Sequence, residues 1–132
     1  MKIFLEEDRP EGRGRKVMYS TSLPETLNQS LDSAATALHR KKADWIRTAL
    51  ILFTALSEKE QEQQILKTYN EVGKSRPRPF TTTLFQGQLG QLDALSKSLQ
   101  RSKAEILRAA IFHFQARTPA DQEKLIKKTL SR

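Results

Sequence analysis

Cysteine is absent from the 132 residues, so neither a disulfide framework nor a thiolate metal site is available to hold the fold. Long apolar runs are absent as well. The longest, Ala49 to Phe53 with Ala55 and Leu56 close by, falls far short of the roughly 20 residues that span a bilayer. Met1-Lys2-Ile3-Phe4-Leu5 runs straight into Glu6-Glu7-Asp8, which is not the pattern of a secretory signal. These absences predict a soluble, cytoplasmic protein with no membrane partner. Residues that carry catalytic chemistry are equally sparse. His39 and His113 lie far apart, and the carboxylates are scattered over polar helix faces. With no paired acids, metal-spaced cluster or glycine-rich phosphate loop, the expectation is no enzyme, no catalytic residue, no metal and no cofactor.

What the chain does have is repetition. Residues 15 to 71 recur as residues 76 to 132 at a constant offset of 61, without a gap. Eighteen pairs are identical, among them Thr21/Thr82, Leu23/Leu84, Leu31/Leu92, Asp32/Asp93, Leu38/Leu99, Arg40/Arg101, Lys42/Lys103, Ala43/Ala104, Arg47/Arg108, Ala49/Ala110 and Phe53/Phe114. A unit of under about sixty residues buries too little core alone, so the two copies are expected to pack together and share one core. The organisation read from this is an N-terminal arm over 1 to 14, a first repeat over 15 to 73, a basic, proline-rich linker over 74 to 79, and a second repeat over 80 to 132.

Net charge is +8, distributed as −1 over residues 1 to 14, +1 over 15 to 71, +3 over 72 to 79 and +5 over 80 to 132. A basic surplus of this size favours a polyanionic partner through phosphate neutralisation and counterion release. A merely solvated basic surface is the competing reading, and position must choose between them.

Each copy opens with alternation. Val17, Tyr19 and Leu23 share one face while Met18, Ser20 and Ser22 share the other; Phe80 and Leu84 point inward while Thr81 and Thr83 point outward. Period two with β-branched and aromatic residues predicts a strand, and two such strands can pair as an antiparallel ribbon over an apolar layer. Pro77 and Pro79 cannot donate to a ladder, so the second strand is expected to begin near Phe80 and to pair only from there.

A helix follows in each copy, marked by Leu27, Leu31, Ala34, Ala35 and Leu38, and by Leu92, Leu95, Ser96 and Leu99, with Leu89 one position out of phase. Gly87 and Gly90 lower helix propensity, which predicts a frayed or shifted first turn in the second copy. After the polar breaks at 39 to 42 and 100 to 103 comes a strongly apolar helix, in which Trp45, Ile46, Ala49, Leu50 and Phe53 match Ile106, Leu107, Ala110, Ile111 and Phe114. So wide a stripe needs cover on more than one side, which a partner repeat would provide. His113, between Phe112 and Phe114, reads as a core-edge histidine. Ser102-x-x-Glu105 forms a capping box that Lys41 cannot supply in the first copy. A third helix opens at the Ser57-x-x-Glu60 box, with Ile65, Leu66 and Tyr69 as apolar edge and Gly73 as stop. Its counterpart opens at Thr118-Pro119, with Leu125, Ile126 and Leu130.

Strand, helix, polar turn and a more apolar helix, twice in register, resemble the ribbon-helix-helix (MetJ/Arc-type) DNA-binding family. The residues that carry the resemblance are Ser20-Thr21-Ser22-Leu23, Leu27, Leu31, Leu38 and Lys42 to Leu50, then Thr81-Thr82-Thr83-Leu84, Leu92, Leu99 and Ser102 to Ile111. It covers about 16 to 56 and 77 to 117, leaving out the third helices. The fused tandem form is similar to TraY-type relaxosome and T-DNA-transfer accessory proteins. The implied fold is mainly α with one short two-stranded antiparallel ribbon, a tandem pseudo-dimer with an extra helix per repeat.

The resemblance implies that the ribbon enters the major groove of double-stranded DNA. The implied base readers are Met18, Ser20, Ser22, Thr81 and Thr83. Hydroxyls can donate or accept, and a threonine methyl or the Met18 thioether can contact a thymine methyl. Implied phosphate anchors are the backbone amides that open the second helices, at Lys42, Ala43, Lys103 and Ala104, with Arg40, Lys41, Arg101 and Ser102 beside them. Lys16, Arg76 and Arg78 would add contacts from outside the ribbon. The chain departs from the family in three ways: His39 and Gln100 occupy a turn that often has glycine, Met18 and Pro79 stand at a reader site commonly held by Arg, Lys, Asn or Gln, and the two units are fused. The implied role is an accessory factor in DNA processing or transfer, with a relaxase or other processing protein as further partner and assembly along DNA. A transcriptional repressor or autoregulator is the alternative. A protein-interaction module with an incidental basic surface, docking through the third helices and the arm, is the other.

Overall fold

A lone strand with one apolar face leaves both edges and that face unsatisfied in water, so each short strand here depends on finding a partner strand and a layer beneath it. The computed structural model, which describes residues 15 to 130, shows how both are supplied. The expected N-terminal arm, 1 to 14, and the apolar role expected of the Leu130 side chain lie outside the described residues. The element order is β1 (Lys16–Pro24), α1 (Glu25–Ala37), α2 (Lys42–Thr54), α3 (Glu58–Val72), β2 (Pro77–Phe85), α4 (Gln86–Leu99), α5 (Lys103–Gln115) and α6 (Pro119–Leu130). The architecture is mainly helical, with a single two-stranded antiparallel sheet among the described residues.

The register of that sheet follows the repeat. Ser20 lies opposite Thr81, its own counterpart at the offset of 61, and around that point Met18 faces Thr83 while Ser22 faces Pro79. β2 starts at Pro77, so pairing does not wait for Phe80 as the prolines suggested. The reason lies in ladder parity. At the two ends of the ribbon the Glu25 amide donates to the Arg76 carbonyl at 2.7 Å and the Gln86 amide to the Arg15 carbonyl at 2.9 Å. Hydrogen-bonded pairs alternate with non-bonded ones along an antiparallel ladder, so Pro24, Pro77 and Pro79 all occupy non-bonded positions. Their missing N–H groups would have pointed away from the partner strand. The connection between α3 and β2 is therefore short, Gly73 to Arg76, because part of the expected linker is strand.

The helices bury their stripes in one cluster drawn from both halves, including Leu23, Leu27, Trp45, Phe53, Leu84, Leu92, Ile106 and Phe114. α2 and α5 pack against each other at its centre, where the rings of Trp45 and Phe114 meet edge to face at 4.7 Å between centroids. The third helices close the flanks crosswise, α3 on α5 and α6 on α2. Gln61 and Gln122, matched at the offset, tie each third helix to the second helix of its own copy. Each is buried, donating to the end of a second helix, Gln61 to the Phe53 carbonyl at 3.0 Å and Gln122 to the Phe114 carbonyl at 3.3 Å. The Gln122 amide oxygen also accepts from the Trp45 indole at 3.1 Å, which ties α6 to α2.

Two local expectations meet different outcomes. The turns from α1 to α2 and from α4 to α5 carry His39 at φ 54° and Gln100 at φ 55°, the left-handed conformation that glycine would take there. Turn geometry is thus kept without glycine. The first turn of α4, in contrast, is neither frayed nor shifted: it starts at Gln86, in register with Glu25. Gln88, standing where the first copy has Leu27, explains this. Its side-chain oxygen accepts the Phe85 amide at 3.1 Å, and its side-chain nitrogen donates to the Arg47 carbonyl at 2.9 Å. A buried amide satisfied at both ends offsets the two glycines. The expected capping boxes form at Ser57/Glu60 and Ser102/Glu105, and α2 lacks a side-chain cap at Lys41.

Gly90 lies in α4 with nothing within 4 Å of where a Cβ would stand. Gly90→Ala should raise stability by about 1 kcal/mol in denaturant unfolding. His113 sits on α5 with its Nδ1 buried and unpartnered. Burial chiefly, then Arg117, holds its pKa below the ordinary 6.5, while Glu60 opposes the shift. Because the unfolded chain takes up that proton first, the contribution is complete above the ordinary value and is lost as pH falls from there toward the folded value. His113→Leu, which installs the residue type of its counterpart Leu52, should stabilise by about 1 kcal/mol and flatten the stability profile below the ordinary imidazole value. Thermal unfolding across pH measures both.

Candidate nucleic-acid interface

Alternation along β1 and β2 sends Met18, Ser20, Ser22, Thr81 and Thr83 to the face away from the helices. Met18 is 72 % exposed, and Ser20 and Thr81 are exposed beside it. These side chains belong to non-bonded pairs, where opposing chains come closest. The Ser20 and Thr81 hydroxyls accordingly hydrogen-bond each other at 3.1 Å across the middle of the ribbon. Ser22 and Thr83 are half-buried, because a guanidinium reaches each from below.

Those guanidinium groups belong to Arg47 and Arg108, matched residues on α2 and α5. Arg47 Nε donates to the Thr83 carbonyl at 3.1 Å and Nη2 to the Thr83 hydroxyl at 2.8 Å. Arg108 Nη2 donates to the Ser22 hydroxyl at 3.0 Å, and Nε and Nη2 reach the Ser22 carbonyl at 3.4 and 3.3 Å. Each arginine therefore binds the strand of the other copy, at an edge carbonyl that the ladder leaves free. The two environments differ. Arg47 is buried, ion-paired with Asp44 at 2.7 Å and placed over the Phe85 ring at 5.2 Å. Burial pulls its pKa below the ordinary value, and Asp44 opposes that shift. Arg108 has Pro24 where Arg47 has Phe85, and borders a cavity of about 230 Å³ that Pro24, Ile65 and Tyr69 help to line. Sequence reasoning assigned neither arginine to the site. The available signal was an identical Arg in both copies of the most apolar helix.

The second element is the pair of helix N-termini. Met18, Thr81 and Thr83 share a groove of about 320 Å³ with Lys42 and Ala43, so the start of α2 stands beside the ribbon face. Asp44 and Glu105, the acidic residues of these first turns, are both engaged, Asp44 with Arg47 and Glu105 in the Ser102 capping box. Lys42 and Lys103 make matched contacts to the preceding helix, with Asp32 at 3.2 Å and Asp93 at 3.6 Å. Each of the two lysines remains close to half exposed, and such surface pairs are worth little, so either can turn to another anion. Lys16, Lys41, Ser102, Arg76 and Arg78 are exposed, and Ala104 is half-buried at the start of α5. Lys16 stands on the outward parity of β1, opposite Phe85.

Arg40 and Arg101 are placed differently from the phosphate role expected of them. Arg40 forms a two-bond contact with Glu123 of α6, 3.1 Å from Nε and 2.6 Å from Nη2. Arg101 meets Glu62 of α3 at 3.2 Å. Each glutamate lies on the third helix of the other copy, and the hydrogen bond from Arg40 holds the Glu123 carboxyl below the usual range. These arginines brace the fold, because the third helices bring carboxylates to them that the sequence pattern did not place there. Comparison with protein-family models, curated proteins and solved structures found no significant match. In a double-mutant cycle, Arg40→Ala and Glu123→Ala should each lower the unfolding midpoint and together lower it by less than their sum. Additive losses would separate the two residues.

Proposed function

We propose that this chain is a single-chain ribbon-helix-helix pseudo-dimer that lays β1 and β2 in the major groove of duplex DNA and serves as an accessory factor in DNA processing or transfer. The observation that carries the reading is the joint placement of a ribbon face of short polar side chains and the start of the apolar helix α2 beside it. A two-stranded ribbon fits the major groove, and its outward hydroxyls and the Met18 thioether suit base edges and thymine methyls. Helix N-termini with Lys42 and Lys103 suit the flanking phosphates. The surplus of positive charge in the 72 to 132 region supplies the non-specific attraction. Pseudo-dimer organisation is supported by the register centred on Ser20 and Thr81 and by the reciprocal bonds of Arg47 and Arg108. Arg40 and Arg101 are left out of the phosphate set, since Glu123 and Glu62 occupy them.

Fusion frees the two halves to diverge. Lys16 and Met18 lie toward one end of the outward face, with Pro77 and Pro79 toward the other. The ribbon is therefore suited to an asymmetric site, as an accessory protein with a polar orientation on DNA requires.

The experiment that tests this is selection of bound sequences from a random duplex pool at two salt concentrations. An enriched motif and a steep loss of affinity with salt are expected. Binding that ignores salt, or no duplex binding, overturns the reading; enrichment at a promoter instead of a transfer origin replaces accessory work with regulation. Lys103→Glu should weaken binding to every duplex and reduce the salt slope by at least about one, with motif preference retained.

A further inference from the structure

The contacts from Arg47 and Arg108 bear on what the ribbon can recognise. A guanidinium has five N–H donors and no acceptor, whereas a hydroxyl has one proton and two lone pairs. Where Arg47 Nη2 donates to the Thr83 hydroxyl at 2.8 Å and Arg108 Nη2 to the Ser22 hydroxyl at 3.0 Å, the hydroxyl proton cannot point back at the arginine. It points elsewhere; donation from a cation strengthens it as a donor and weakens the one lone pair that is left as an acceptor. Ser20 and Thr81 have no such constraint, since their mutual bond can run in either direction.

We infer that Arg47 and Arg108 are positioning residues that bias the Thr83 and Ser22 hydroxyls toward hydrogen-bond donation, so that these two residues favour bases presenting an acceptor and disfavour cytosine. This rests on the DNA-binding reading. In the major groove guanine offers N7 and O6, adenine N7 and thymine O4, whereas cytosine offers only its N4 amino donor. The discrimination is against one base at each of two positions. Ser22 and Thr83 lie two residues from the centre of the ribbon in opposite directions. At about 3.3 Å per residue that is a separation of about 13 Å, or no more than about four base steps. The centre, read by Ser20 and Thr81, carries no matching exclusion. The two positions are also unequal, because Arg47 is buried with Asp44 and Phe85 behind it while Arg108 makes longer bonds beside an open cavity. Discrimination is stronger at the Thr83 position.

Random-duplex selection with the wild-type chain, Thr83→Val, Arg108→Met, Arg108→Lys and Arg47→Lys tests this. The wild type should deplete cytosine roughly three- to tenfold at two positions within about four base steps, the worth of one hydrogen bond each. Thr83→Val should abolish depletion at one position and Arg108→Met at the other, with Arg108→Lys restoring part of it. A purely structural role for the arginines would lower the melting temperature and weaken all sequences together without moving a single-position preference. If Arg47→Lys fails to fold, the half-buried Arg108 decides. A wild-type motif without the paired depletion, or depletion unchanged in folded Arg108→Met, overturns the inference while leaving DNA binding intact. Absence of any duplex binding by the wild type overturns the underlying reading instead.

Discussion

Antiparallel pairing of β1 with β2 in one register is the constraint on which everything else rests. Side chains alternate with period two, so a slip of one residue would turn Met18, Ser20 and Ser22 onto the helices and expose Leu23 and Leu84. In the register adopted, the three prolines of the ribbon cost no ladder bond. The same parity leaves the edge carbonyls of Ser22 and Thr83 unpaired by the strands, and Arg47 and Arg108 donate to them. Edge satisfaction and the orientation of the polar face are therefore consequences of one alignment.

That alignment in turn places the halves so that each completes the other. α2 and α5 share the centre, and the third helices cross to the opposite half, where Glu62 meets Arg101, Glu123 meets Arg40 and Gln122 accepts from Trp45. A helix that braces its neighbour's core buries apolar area which a unit of this size lacks alone. The third helices, outside the strand-helix-helix pattern, are thus integral to the fold. Leu66 and Tyr69 of α3 stay largely exposed.

Much of this was legible from residue order. Alternation located both strands, apolar spacing located six helices, and the offset of 61 indicated that the copies would share a core. Capping boxes at Ser57 and Ser102 were readable because they are local, closed within one turn. The extent of β2 is not legible in the sequence because a proline's effect depends on which way its nitrogen points relative to the partner. The order of the first turn of α4 is not legible either, because propensity counts the glycines while Gln88 reaches the Arg47 carbonyl only in the folded chain. Arg40 and Arg101 looked free for phosphate because Glu62 and Glu123 are distant in sequence and arrive only through helix packing.

By itself the sequence determined the period of each segment, the pairing of like with like and the polarity of each face. Those follow from intrinsic geometry and from transfer of apolar surface out of water, which act residue by residue. Tertiary structure decided which charges are engaged and which hydroxyls accept from an arginine. Coulombic and hydrogen-bond partners are chosen by distance across the fold, and Arg47 to Thr83 or Arg40 to Glu123 becomes a contact only once both halves have packed.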